Sequence, residues 1–197
     1  RTRKKTYPSG TLGETRHLFY TEPTRWQVVE ERMDSSSAPD RQFVWGLRYI
    51  DPIALRHRDT TGDGSLDERL YGMQDANWNV TVVAVSSGSV QERYGYSAFG
   101  VSTVLAASFD VHSGASCLFE YRLATYRFDL DSFVYVVRNR VYHPGLGLWI
   151  QQDLAVTSNE FNLYEYVKSR PTRLTDPTGE VPIISYGRYC GPDSRPG

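Results

Sequence analysis

Two aspartates, Asp153 and Asp176, stand about two dozen positions apart near the end of the chain. A carboxylate pair can hydrolyse a peptide bond if one member is ionised, to activate water, and the other is protonated, to donate to the departing amide. Bringing both within about 3 Å separates their titrations, because two negative charges cannot both be held comfortably there. Spacing alone supplies no distance. Asp176-Pro-Thr-Gly179 is also a good turn in its own right, so each aspartate has a structural explanation beside the chemical one.

A second candidate is the run Asp59-Thr-Thr-Gly-Asp63-Gly64-Ser-Leu-Asp67-Glu68. Oxygens at alternate positions and glycine at the sharp turn match the start of a calcium loop, with Asp59, Asp63 and Asp67 as ligands. The bidentate glutamate that should close such a loop is replaced by Leu70. A β-hairpin turn through Gly62-Asp63-Gly64 accounts for the same residues without metal and is the preferred reading, with weak surface calcium binding as the alternative. His17, His57, His112 and His143 are scattered, and His143-Pro144 reads as a structural turn. Nothing resembles a phosphate loop, a nucleophile elbow or a zinc pattern, so no cofactor is expected. Cys117 and Cys190 follow no spacing motif and read as free thiols, with one disulfide as the alternative.

The elements that would position these residues are strands. Among 197 residues there are 14 Tyr, 8 Phe, 4 Trp, 16 Gly and 10 Pro, a balance suited to half-buried pleated surfaces joined by turns. Trp26–Met33, Asn79–Val85 and Ser132–Asn139 read as strands. Turn clusters at 35–40, 62–64, 86–88 and 145–147 separate such segments, which predicts an all-β meander of short antiparallel hairpins. Tyr49, Tyr71 and Tyr94 recur at nearly equal intervals, the mark of a repeat whose units bury their faces against neighbours. Trp45, Trp78 and Trp149 are expected in the core. The formal net charge of −1 offers no field for nucleic acid, and the basic run Arg1-Thr-Arg-Lys-Lys5 reads as a solvated terminus. No apolar run approaches the length of a membrane span. Carbohydrate binding through exposed aromatics would rest on composition alone.

Three strings then occur in order: Tyr94-Gly-Tyr-Ser-Ala-Phe-Gly100; Arg138-Asn-Arg-Val-Tyr-His-Pro-Gly-Leu-Gly-Leu-Trp-Ile-Gln-Gln-Asp153; and Asn162-Leu-Tyr-Glu-Tyr-Val167 with Pro171-Thr-Arg-Leu-Thr-Asp-Pro-Thr-Gly179. Together they resemble the RHS repeat-associated core of RHS and YD-repeat proteins, over roughly residues 43 to 180. The resemblance implies a spiral sheet forming part of a hollow shell. It divides the chain into degenerate YD-repeat-like strands over 1–104, an irregular connector over 105–127, the core over 128–180 and a poorly ordered tail over 181–197. It implies secretion or cell-surface display, partnership with the remaining repeats of the same or a parent protein, and an enclosed C-terminal effector. The expected role is structural, enclosing an effector or mediating contact between cells.

The same resemblance implies an alternative, self-cleavage by Asp153 and Asp176 at Glu180–Val181. In the family both aspartates sit in Asp-Pro-x-Gly motifs, an arginine precedes the first, and the cut follows an apolar residue. Here Asp176, Pro177 and Gly179 keep the second motif. Gln152 stands where the arginine should be, Leu154 where the proline should be, and Glu180 at the cut. Each departure argues against catalysis.

Overall fold

The computed structural model describes residues 2–22, 26–47, 51–112, 116–153 and 162–184. Nine strands follow one another in chain order across one antiparallel sheet: β1 (Arg3–Thr6), β2 (Glu14–Tyr20), β3 (Val28–Met33), β4 (Arg41–Trp45), β5 (Ile53–Arg58), β6 (Glu68–Gln74), β7 (Val80–Ala84), β8 (Val90–Tyr96) and β9 (Ser102–Leu105). The order is that of a plain meander, as hairpin-joined strands require. A second sheet of four strands holds β10 (Arg127–Asp129), β11 (Val134–Val136), β12 (Val141–His143) and β13 (Leu148–Trp149). A third pairs β14 (Leu174–Thr175) with β15 (Ile183–Ile184). No sheet closes into a barrel, and the all-β expectation holds. Among the described residues no helix is long and apolar enough to cross a membrane.

The buried face of the large sheet is unusual in carrying charge. Leu18, Phe43, Ile53, Leu70, Val83 and Tyr94 are buried there, and so are Arg16, Glu31, Arg56 and Glu92. Buried charges are costly unless paired and hydrogen-bonded. The segment from Cys117 to Phe128, running over this face, supplies partners for Glu31, Arg56 and Glu92, while Arg16 pairs with Glu31 itself. Arg56 donates to the carbonyls of Leu118 (2.8 Å) and Cys117 (2.7 Å) and pairs with Glu120 (3.2 Å). Glu92 accepts from the Cys117 amide at 2.8 Å. Phe119 and Tyr121 bury their rings in the same layer. The segment is irregular, and its buried residues cover the core.

Three further expectations are corrected. Lys4, placed in a solvated terminus by sequence, lies on β1 and pairs with Asp129 (3.0 Å) and Asp131 (2.5 Å) of the second sheet. Ile183 and Ile184, placed in the tail, form β15 opposite Thr175 and Leu174. The tyrosine period does not make one ladder. Tyr49 lies outside the described residues, and Tyr71 and Tyr94 face opposite sides: Tyr94 shares the buried side of Glu92, whose partner Val83 pairs with Gly72.

An aromatic ladder does exist, in the second sheet. Phe128, Tyr135, Tyr142 and Trp149 are consecutive cross-strand partners on β10 to β13. Their ring centroids are 5.0, 6.2 and 5.6 Å apart, within the range where aromatic pairs attract. Tyr166 closes the end of the row, 4.0 Å from Tyr142 and 5.5 Å from Trp149.

Candidate functional site

The ladder ends at Trp149, and Arg140 lies over its ring at 4.4 Å. The β12–β13 hairpin brings the chain around 140 beside the chain around 151. The turn His143-Pro-Gly-Leu-Gly147 is tightened by the Leu146 amide donating to His143 Nδ1 at 3.2 Å, which gives His143 the structural role expected of it. Across the hairpin the Ile150 amide donates to the Val141 carbonyl (2.8 Å), and Val141 donates to Gln151 Oε1 (2.6 Å). Asp153 follows, its amide tied to the Leu163 carbonyl at 3.0 Å.

Arg140 then joins the two sequence-predicted aspartates. Its Nη1 is 2.9 Å from Asp153 Oδ2 and its Nη2 is 3.3 Å from Asp176 Oδ2. Its Nε donates to the Gly179 carbonyl. An arginine therefore stands beside Asp153 although Gln152 precedes it: Arg140 reaches it from thirteen residues earlier, across a hairpin. In the sequence Arg140 is only one residue of the string Arg138 to Asp153. The signal that could have exposed it is register: a hairpin centred on Gly145–Gly147 puts 140 opposite 151–153.

Asp176 is 1% exposed, and its turn is held from several directions. Its amide donates to the Tyr126 hydroxyl at 2.7 Å. Its Oδ1 accepts from the Gly179 and Glu180 amides (2.9 and 3.0 Å) and the Thr178 hydroxyl (3.3 Å). Successive residues clasp the rest of the turn. Arg138 donates to the Pro177 carbonyl (3.2 Å), and the Asn139 amide and side chain both donate to Thr178 (3.2 and 3.1 Å). Gly179 has φ +72°, and a Cβ there would lie 3.1 Å from the Arg140 amide nitrogen; only glycine takes that conformation in that space at little cost.

Burial raises the Asp176 carboxyl above its ordinary value, against the opposing pull of the Glu180 amide, Arg140 and the Gly179 amide. Desolvation penalises the ionised form, so the group is biased toward holding a proton. The Asp153 side chain is 11% exposed. Glu180 is exposed and Val181 is 60% exposed, so the bond between them faces solvent.

Asp59, Asp63 and Asp67 are occupied with their own turn. Asp59 accepts from the amides of Thr61, Gly62 and Gly64 (3.1, 2.7 and 2.7 Å), Asp63 from Ser65 (2.8 Å), and Asp67 from Thr60 (2.8 Å). These bonds lower the carboxyls of Asp59 and Asp67, chiefly through Gly64 and Thr60 respectively. Among the described residues no three His, Cys, Asp or Glu side chains gather as a metal site. Cys117 is a buried free thiol that burial pushes up to about 11; Cys190, like Leu154, lies outside the described residues.

No family model matches the chain. Toxin subunit YenC2 of Yersinia entomophaga is 46% identical over 44 residues, which is 22% of this chain and 4% of that protein. The tRNA3(Ser)-specific nuclease WapA of Bacillus spizizenii is 29% identical over 109 residues, 53% of this chain and 4% of that one. Among solved structures, TcdB2-TccC3 superposes with a TM-score of 0.63 at 19% identity, over 90% of this chain and 8% of that one. The Tc holotoxin pore of Photorhabdus luminescens gives 0.59 at 15% identity, over 94% and 10%. The chain spans only a small part of each of these proteins. The fold is that of a short stretch of these toxin β structures.

Proposed function

We propose that this chain is the closing stretch of a toxin-type RHS shell and that it severs its own backbone between Glu180 and Val181. One observation carries the reading: Arg140 holds Asp153 and Asp176 on one guanidinium in the turn that leads to that bond. Arg140 beside Asp153, where position 152 offers no arginine, supports the reading.

The roles follow from the environments. Asp153, the more open carboxylate, takes a proton from water as that water attacks the Glu180 carbonyl carbon. Asp176, biased toward its protonated form by burial, gives its proton to the Val181 nitrogen as the C–N bond breaks. The products are a Glu180 carboxylate and a Val181 amine. Arg140 supplies fixed positive charge beside the developing oxyanion. Asp176 Oδ1, by accepting from the Glu180 amide, fixes the residue whose carbonyl is attacked. The Glu180 side chain is exposed to water.

The outer edge of β1 suits pairing with further repeats of the same or a parent protein. A C-terminal effector enclosed by the completed shell, and secretion or cell-surface display, complete the proposal. A purely structural clamp is the second reading. It is favoured by the three donors already on Asp176 Oδ1 and by Leu154 in place of proline. Mass spectrometry of the expressed full chain separates the two: a fragment beginning at Val181, lost in Asp176→Asn, supports cleavage, whereas an uncut chain leaves the clamp.

A further inference from the structure

Asp51 and Arg138 lie 87 positions apart, and both Asp51 oxygens accept from Arg138 Nη2, at 2.7 and 2.9 Å. Arg138 Nη1 donates to the Pro177 carbonyl, one residue after Asp176. We propose that Asp51 is a positioning residue for the cut at Glu180–Val181, gripping Arg138 so that Arg138 holds the turn carrying Asp176. The proposal rests on the self-cleavage reading above and adds a control on it from the repeat sheet.

The geometry supports this in three ways. Both carboxylate oxygens close on the one nitrogen Arg138 Nη2, a charge-assisted contact that anchors that end of the guanidinium while Nη1 reaches Pro177. The pair is largely buried, with side chains 18% and 13% exposed, so water screens it little. Arg138, Asn139 and Arg140 clasp Pro177, Thr178 and Gly179 in succession, so releasing the first member loosens the turn at the Asp176 end. Displacements of this kind far from the reacting atoms cost up to about 100-fold in rate.

Asp51 is also placed to respond to acid. A cavity of about 330 Å³ opens beside it, lined by Gln27, Trp45, Tyr121, Arg138 and Pro177. The groups facing its carboxyl are Arg138 from the β11–β12 link, Gln27 from the stretch before β3, and Tyr121 from the segment over the sheet. Burial pushes the carboxyl up to about 6, although Arg138 and Gln27 pull it down. Above that value the carboxylate grips Arg138; below it the protonated acid gives up the charge-assisted bonds.

The test follows the appearance of the Val181 fragment with time in the full chain, at pH 5 to 8. The ratio of the wild-type rate to that of Asp51→Asn is expected to climb as pH rises through about 6, the aspartate pair being common to both proteins. Asp51→Asn is expected to be about 10- to 100-fold slower near neutrality, and Asp51→Glu is expected to recover most of the rate. A wild-type protein that cuts with Asp51→Asn equally fast overturns this proposal and leaves the cleavage reading intact. A wild-type protein that never cuts overturns both. If Asp51→Asn fails to fold, Arg138→Lys stands in, keeping the charge but losing one of the two contacts: a cutting rate equal to wild type overturns the proposal, and a loss of about 10-fold or more supports it.

Discussion

Arg56 on β5 and Glu120 on the segment crossing the sheet, 64 positions apart, meet in the buried layer with Nη1 3.2 Å from Oε2. Arg56 is fully buried and also reaches Glu68 at 2.5 Å. The carbonyls of Leu118 and Cys117 each take a further bond from its two terminal nitrogens, so one side chain fastens an irregular strip of backbone to a regular sheet. Glu120 is held down at about 2, against desolvation, by Arg41, Arg56 and Arg127.

Arg56→Ala is therefore expected to destabilise the fold by about 3–5 kcal/mol, since it strands buried carboxylates and carbonyls without their donor. Arg56→Met fills similar volume but repairs none of these bonds, so it should recover little. Urea unfolding of the three proteins checks this; near-equal midpoints would mean that the strip is held by Phe119 and Tyr121 alone.

Gly179 gives a local test of the turn. Gly179→Ala forces a side chain into the left-handed region and against the Arg140 amide, at about 1–2 kcal/mol for the conformation alone. Denaturant melts should show that loss. A variant as stable as the parent would mean that the clasp between 138–140 and 177–179 does not hold.

The aromatic ladder predicts a graded series at Tyr142. Tyr142→Phe loses only the hydroxyl bond to the Phe99 carbonyl, 2.7 Å long, worth about 1 kcal/mol. Tyr142→Ala removes the middle of the row and is expected to cost about 3–5 kcal/mol. Thermal unfolding orders the two, and equal losses would contradict the packing.

These elements differ in how legible they were. The meander could be read, because Val-rich runs such as Val80-Thr-Val-Val-Ala84 between turn clusters fold locally. The second half of the aspartate site could be read too, since Asp176-Pro-Thr-Gly179 states its turn. Arg140 could not, because its role depends on hairpin register rather than on adjacency to Asp153. The segment from Cys117 to Phe128 looked like a linker for a related reason: its bonds go to charged side chains on distant strands, and irregular backbone carries no period. The tyrosine interval makes no ladder because equal spacing along the chain does not fix which face a residue takes: the register Gly72–Val83–Glu92 puts Tyr71 and Tyr94 on opposite sides of the sheet.

Asp51 sets a pH dependence of stability. Its folded-state value of about 6 lies above the ordinary carboxylate value, so the folded protein binds the extra proton. Its contribution is fully present below the unfolded value, near 4, and is lost as pH rises through about 6. Across that window the wild type should lose about 2–3 kcal/mol relative to Asp51→Asn, the equivalent of the shift. Parallel stability curves for the two proteins would show that Asp51 titrates normally.

The most direct measurement is the mass of the full chain after incubation, alone and as Asp153→Asn, Asp176→Asn and Arg140→Ala. The account predicts a wild-type fragment with Val181 at its N-terminus, abolished by either aspartate variant and slowed by about 100-fold or more without Arg140. A wild-type chain that stays whole, or a Val181 fragment that persists in Asp176→Asn, would contradict it.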